Sequence, residues 1–195
     1  MVVRTQASDP SLMQVLIAPS LEPVSIDELA RNLRLFTGEG YDGAERDLLQ
    51  GLLSAARADA EHYTGRYLAN CTLRQYFAGF APCLSLHPDV QQVQAIGYWD
   101  SNQQAQSYPL AHTRLVLNQL YSIVTDWPRV TAQPAAVWVD YHAGLDPLPA
   151  NLKQAIVLIA SHWYENREAS SPLQVRDVPF AYRWLLDAYR QLGMG

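Results

Sequence analysis

The chain has 195 residues and a mass of 21.9 kDa, the size of one compact domain or of one domain with a large insertion. Charged residues make up 17% of it, against about 25% in typical soluble domains, while hydrophobic residues make up 49%. This composition excludes disorder over most of the chain, and its apolar runs are too short for a membrane span. The net charge of −5 argues against a nucleic-acid-binding module, which carries a basic excess.

The first 20 residues contain a short apolar patch that Gln14 interrupts, and they lack the pattern of a secretory signal. We interpret residues 1–20 as a flexible or docking arm, and we expect the protein to be intracellular.

Helical signals begin at Ser25, because Ser25 and Glu28 have the spacing of a capping box and predict a helix over residues 25–35. Apolar residues at three- and four-residue steps predict a second helix over about residues 44–64. Gly65 is placed to end that helix with a positive φ.

Between Asn70 and Asp146 only eight residues are charged, and short alternating runs between turn residues predict an antiparallel sheet. The predicted strands are 72–77, 83–86, 93–99, 106–110, 114–117, 121–124 and 136–142. Two further helices are predicted, over about 152–166 and from Pro179 to about residue 192.

These elements predict an α+β fold with a helical core of about four helices. The sheet of residues 70–146 is inserted between the second and third main helices. We expect residues 21–192 to form a single domain that follows the arm.

The sequence contains no phosphate-binding, nucleophile-elbow or zinc-protease motif. Glu165 and Glu168 could act as an acid–base pair, although the solvated end of a helix explains them as well. Asp140 and His142 alternate along one strand and could form a dyad, although an ordinary sheet face is the simpler interpretation. We therefore expect no catalytic residue, no metal site and no cofactor.

Two features of the sequence suit a protein interface. Thirteen of the fourteen basic residues are arginine, and the predicted sheet is rich in tyrosine and tryptophan. Codon bias of the source genome also explains the arginines. The aromatic residues could stack on sugars or bases, but few lysines or arginines accompany them, which disfavours nucleic acid. Cys71 and Cys83 flank a strand and turn, so a disulfide between them is sterically possible, but we expect two buried free thiols.

Several segments, taken in order, resemble the head–tail connector family of tailed phages, both its gp6-like members and the longer gp8-like relatives with a β insertion. They are the helix start at Glu22–Leu29, the helix end Tyr63-Thr64-Gly65-Arg66, and the helix end His162–Glu168. The strand end Val139–Gly144, before two prolines, lies between the last two. The resemblance covers about residues 20–190.

The resemblance implies a helical core, with the sheet as an elaboration of the longer members. It implies a structural virion protein, not an enzyme, that forms a ring of about a dozen copies beneath the portal. The ring extends the DNA channel toward the tail, so the implied partners are other copies, the portal protein and a tail-completion or stopper protein. The implied location is the virion neck, and the host cytoplasm during assembly.

We expect the interface to centre on residues 44–64 and 162–168. The candidate residues are Arg57, Glu61, Tyr98, Trp99, Trp163, Tyr164, Glu165 and Arg167. We also expect a neighbour or partner to cover the uncharged, aromatic surface of the sheet. The alternatives are another neck or tail-completion protein (of a phage or a prophage), a domain that binds a carbohydrate or small ligand through the sheet aromatics, and a hydrolase with an unrecognised acid pair.

Overall fold

The computed structural model describes residues 13–35, 43–124, 126–130, 133–166 and 180–191. In these residues the chain forms two compact units. We call residues 13–20 and 70–144 the sheet unit, and the described residues of 21–69 and 145–191 the helical unit. The α+β class predicted from the sequence is confirmed, since the described residues contain four α-helices together with antiparallel sheets.

The helices of the helical unit begin and end close to the predicted positions. They are α1 (Ile26–Asn32), α2 (Gly43–Thr64), α3 (Ala150–Glu165) and α4 (Phe180–Asp187). The capping box is confirmed, because the Glu28 amide donates to Ser25 Oγ at 3.2 Å and the Ser25 amide donates to Glu28 Oε2 at 2.9 Å. Gly65 follows α2 with a φ of 68°, as its position predicted. Pro149 is the N-cap of α3.

Leucine, isoleucine and alanine side chains from all four helices form the core of the helical unit. Leu53 of α2 and Ile156 of α3 are fully buried in it, as is Leu186 of α4. Pro179, the predicted start of the last helix, lies outside the described residues. That helix ends at Asp187, five residues before the predicted end, and the Gln191 amide then donates to the Thr64 carbonyl at 2.8 Å.

The sheet unit contains eight strands in the described residues. They are β1 (Met13–Ile17), β2 (Cys71–Phe77), β3 (Cys83–Ser85), β4 (Val90–Trp99), β5 (Ala105–Ser107), β6 (Thr113–Val116), β7 (Gln119–Ser122) and β8 (Val137–Ala143). They form a five-stranded sheet of order β1-β2-β8-β4-β5 and a three-stranded sheet of order β3-β7-β6. All pairings are antiparallel. The sequence predicted one sheet, and the structure divides its strands between two.

Part of the expected arm is a strand. Met13–Ile17 pairs with β2, so that Met13 lies opposite Gln75 and Val15 lies opposite Leu73. Of the two alternatives, the flexible arm is therefore wrong for residues 13–17, which pair with β2, while residues 1–12 lie outside the described residues. The five-residue strand β1 depends on β2, which lies about 60 residues further along the chain. The local pattern around Gln14 does not reveal that pairing.

One face of the five-stranded sheet belongs to the core of the sheet unit. Along β8, Val137, Val139 and Tyr141 are buried and alternate with half-buried Trp138 and Asp140. Such alternation is typical of a strand with one face packed and one face toward solvent. The buried Tyr141 hydroxyl donates to Gln75 Oε1 at 2.9 Å, so the core satisfies its polar group.

Candidate interface surfaces

Arg57 and Glu61 form an ion-pair cluster with Glu22 inside the helical unit. Arg57 Nε lies 2.7 Å from Glu22 Oε2, and its Nη1 lies 2.6 Å from Glu61 Oε2. The other Glu61 oxygen accepts the backbone N–H groups of Leu68 and Ala69 at 2.8 and 3.3 Å. All three charged side chains are at most 17% exposed. The cluster thus joins α2 to the segment before α1 and to the chain that leaves α2.

Burial dominates the ionisation of Glu61. It raises the pKa of the Glu61 carboxyl above its ordinary value, while Arg57 and the two backbone N–H groups act in the opposite direction. Removing Arg57 would leave two acidic side chains together in a poorly solvated place. The cluster is therefore a structural element of the helical unit, whatever else its outer edge contacts.

The residues predicted near the end of α3 differ in their surroundings. Trp163 and Tyr164 are half-buried and pack against the core of the helical unit. Glu165 is exposed at the last residue of the helix. Arg167 lies outside the described residues, as does Glu168, so the proposed acid pair of Glu165 and Glu168 has no described geometry.

Tyr98 and Trp99 are neighbours on β4 and enter two different aromatic groups. Tyr98 meets the edge of Phe80 at 5.6 Å between ring centroids. Phe80 in turn stacks on Trp127 at 4.7 Å, and Tyr108 lies 5.0 Å from Trp127. These rings pack against one another and fill the space between the strands and the loop that carries Trp127. That arrangement gives no support to a sugar site built from these rings.

Trp99 belongs to the solvent-facing side of the five-stranded sheet. Its ring lies 5.6 Å from that of Trp138 on β8, and it is 37% exposed. Trp138 lies over Gly97, where an added Cβ would come within 2.2 Å of the indole. The guanidinium of Arg74 lies 5.7 Å from the centroid of the Trp138 ring, so three side chains and one glycine hold this surface in place.

Asp140 and His142, the possible dyad, have different partners on that same face. Arg74 and Asp140 form a bidentate ion pair. Arg74 Nε donates to Asp140 Oδ1 at 2.6 Å, and Arg74 Nη2 donates to Asp140 Oδ2 at 2.8 Å. This contact raises the pKa of Arg74 above its ordinary value. His142 contacts Thr72 at 3.2 Å and Gln94. The geometry is that of a cross-strand polar network on a sheet surface.

Exposed apolar side chains are concentrated in the sheet unit. Among the described residues, six exposed large hydrophobic side chains come from the β6–β7 hairpin and its flanks. They are Leu110, Val116, Leu117, Tyr121, Ile123 and Val124. Three more are consecutive on β1, namely Val15, Leu16 and Ile17. Grouped exposed apolar residues of this kind mark interaction sites more often than scattered ones do.

The described residues were searched for metal sites, disulfides and membrane spans. No group of three or more His, Cys, Asp or Glu side chains there could hold a metal ion. No disulfide joins Cys71 and Cys83, of which the first is buried and the second half-buried. Among the same residues, no helix combines the length and the apolar character needed to cross a membrane.

Comparison with known proteins finds one similar protein family and several similar solved structures. Residues 115–190, from β6 through α4, match the model of the phage gp6-like head–tail connector proteins. A chain in the solved neck of an empty gene transfer agent particle, computed with C6 symmetry, is 25% identical, with a TM-score of 0.70. The match covers 92% of this chain and 95% of that chain. The predicted resemblance to the head–tail connector family is confirmed, and the family model covers the C-terminal part of the chain.

Two further solved structures have a fold similar to that of this chain. A chain of the virion of a native gene transfer agent particle is 23% identical, with a TM-score of 0.71 over 93% of this chain and 96% of that chain. A chain of the neck of a native particle, computed with C12 symmetry, is also 23% identical, with a TM-score of 0.67 over 92% and 95%. No curated protein matches the chain.

Of the eight predicted interface residues, only Trp99 and Glu165 have exposed side chains in the described structure. Sequence reasoning did not predict the β1 strand. It predicted both strands of the β6–β7 hairpin but did not single out their exposed apolar surface. One signal was available for the hairpin, because residues 110–124 contain a single charge, Arg114, among many apolar residues.

Proposed function

We propose that this protein is a structural subunit of the neck of a phage or phage-like particle, where its copies form a closed ring. The observation that carries the proposal is the near full-length match to a chain of a symmetric gene transfer agent neck, which covers 92% of this chain and 95% of that chain. The C6 and C12 symmetries of the two matched necks support a ring of repeated copies.

In this proposal the ring lies beneath the portal and extends the DNA channel toward the tail. Its partners are other copies, the portal protein and a tail-completion or stopper protein. The subunit is made in the host cytoplasm and ends in the virion neck. Its role is mechanical, since side chains such as Arg57 and Asp140 are held in structural ion pairs rather than around a reacting centre.

The charge of the subunit suits a channel through which DNA must slide. A net charge of −5 offers few phosphate contacts, and every such contact would slow the passage of the duplex. Residues that face the channel are accordingly expected to be mostly uncharged or acidic. A channel wall formed mainly by arginine would contradict this part of the proposal.

Exposed residues from the predicted interface also enter the proposal. Trp99 lies on an ordered aromatic surface, and Glu165 stands at the end of α3. We propose that both contact a neighbouring protein in the neck, whereas Arg57, Glu61 and Trp163 support the interface from within the helical unit.

Particle sizing and negative-stain imaging of the purified full chain, alone and mixed with its portal protein, test the proposed function. We expect ring-shaped particles in at least the mixture, and no retention of duplex DNA at physiological salt. A protein that stays strictly monomeric at high concentration in both samples would rule out the ring.

A further inference from the structure

The sheet unit exposes two separate apolar surfaces. The hairpin surface consists of Leu110, Val116, Leu117, Tyr121, Ile123 and Val124, and the β1 surface consists of Val15, Leu16 and Ile17. Together they hold nine of the twelve large hydrophobic side chains that are exposed in the described residues. Arg114 is the only charged residue within residues 110–124, and β1 carries no charge.

The turn at the tip of the hairpin surface has a strained backbone. Val116 and Gln119 pair across a two-residue turn, and Leu117 at the first turn position has a φ of 55°. Glycine, asparagine and aspartate normally occupy such positions, because a larger side chain strains the backbone there. Leu117 is nevertheless 88% exposed, so the fold gains no burial from its side chain. A strained and exposed leucine points to a contact outside the subunit.

Among the described strands, β1 is an edge strand without the usual protection. Natural edge strands avoid pairing with other chains through charged residues, proline or very short length. β1 has neither charge nor proline, and Ile17 is 61% exposed. The opposite edge strand, β5, has only three residues, Ala105–Ser107, which are small or polar. Of these two edges, β1 is the one suited to a protein contact.

The two surfaces belong to the two different sheets of the sheet unit. The β1 surface ends the five-stranded sheet, and the hairpin surface belongs to the three-stranded sheet and its flanks. Gln75 on β2 donates to the Ser85 carbonyl of β3 at 3.0 Å, so the two sheets are in contact. The 3-10 helix Leu110–His112, which leads into β6, contacts β4. A subunit with two different surfaces can make head-to-tail contacts, which form a ring where the rotation closes.

We propose that the hairpin surface of one copy packs against the β1 surface of the next copy around the ring. This inference rests on the proposed ring assembly, because a copy in a ring must offer a different surface to each of its two neighbours. The two surfaces are complementary in character, since both are apolar and a single arginine accompanies them. The tip leucine projects from one copy, and the unprotected strand of the next receives it.

Cross-linking with a short bis-maleimide tests the contact in the full chain. Ile17→Cys and Val116→Cys are each made in a Cys83→Ser background, which keeps the buried Cys71. Neither single variant should cross-link alone, and a mixture of the two should give dimers only. The double variant should give a ladder of multimers. The control double variant, Ile17→Cys with Asn102→Cys, places its second thiol on an exposed turn of the same unit and should give no ladder.

The alternative outcomes separate this contact from the ring itself. Dimers from one single variant alone would indicate a two-fold contact and overturn the inference. If the wild-type protein forms rings by particle sizing but the double variant gives no ladder, the hairpin faces another protein of the neck; the inference then fails while the proposed function stands. A wild-type chain that stays monomeric with and without portal overturns both.

Discussion

The helical unit and the sheet unit differ in how many charged side chains they carry. The helical unit holds its charged side chains in defined contacts, such as the Arg57 cluster and the Ser25–Glu28 capping box. The sheet unit has few charges, and it carries ten of the twelve exposed large hydrophobic side chains in the described residues. In our proposal, the sheet unit supplies the surface that a partner covers, while the helical unit uses its ion pairs for stability.

The largest effect is expected when the Arg57 cluster of the helical unit is broken. Arg57→Ala leaves Glu22 and Glu61 side by side with little solvent, and should lower the free energy of unfolding by about 3 kcal/mol. Chemical denaturation measures the loss. Arg46→Ala, an exposed arginine on the same helix, should change the stability by less than about 0.5 kcal/mol. Equal losses for both variants would mean that the cluster has no special role.

One glycine in each unit gives the next comparison. Gly97→Ala would push a methyl group into the Trp138 ring, and we expect a loss of about 2 kcal/mol in the sheet unit. Gly51→Ala on α2 meets nothing within 4 Å and should stabilise the helical unit by about 0.5–1 kcal/mol. Thermal unfolding monitored by tryptophan fluorescence reports both changes. A Gly97→Ala variant as stable as the wild type would show that Trp138 moves aside without cost.

Leu117 allows stability and assembly to be separated within the sheet unit. Leu117→Gly relieves the left-handed backbone conformation and should raise the free energy of unfolding by about 1 kcal/mol. The same change removes the tip of the hairpin surface, so ring formation should decrease in sizing experiments. An increase in stability with unchanged ring formation would remove the tip from the proposed contact.

The smallest expected effect is the pH dependence of the capping box. The hydrogen bond from the Ser25 amide lowers the pKa of Glu28 below its ordinary value of 4.5. Because the folded pKa is the lower one, this contribution to stability is fully present above pH 4.5 and is lost as the pH falls through the folded pKa. Acid titration of the unfolding free energy should show a small loss, which Glu28→Gln should reduce.

Local signals explain what the sequence could predict. Ser25 and Glu28 are three residues apart and predict the start of α1. Gly65 directly follows a regular apolar stripe and predicts the end of α2. The same local logic predicted the sheet strands but displaced some ends. The strand predicted over residues 106–110 ends at Ser107, because Pro109 and a 3-10 helix follow it.

Non-local pairing explains what the sequence did not reveal. Glu22 and Arg57 are 35 residues apart, and Gly97 reaches Trp138 only through the pairing of β4 with β8. Arg57 and Glu61 were predicted at an interface, and the local sequence did not reveal that their charges pair within the helical unit. The β1 strand was not predicted for the same reason, because it depends on pairing with β2.

The ends of the inserted segment have a consequence for modularity. Cys71, at the start of β2, is the pairing partner of Ala143, at the end of β8. Cross-strand partners in an antiparallel sheet have Cα atoms about 5 Å apart, so the chain leaves the sheet unit almost where it entered. A short turn could bridge that gap. The segment from β2 to β8 is therefore arranged as an insertion whose two ends lie side by side, so that the helical sequence on either side keeps its order.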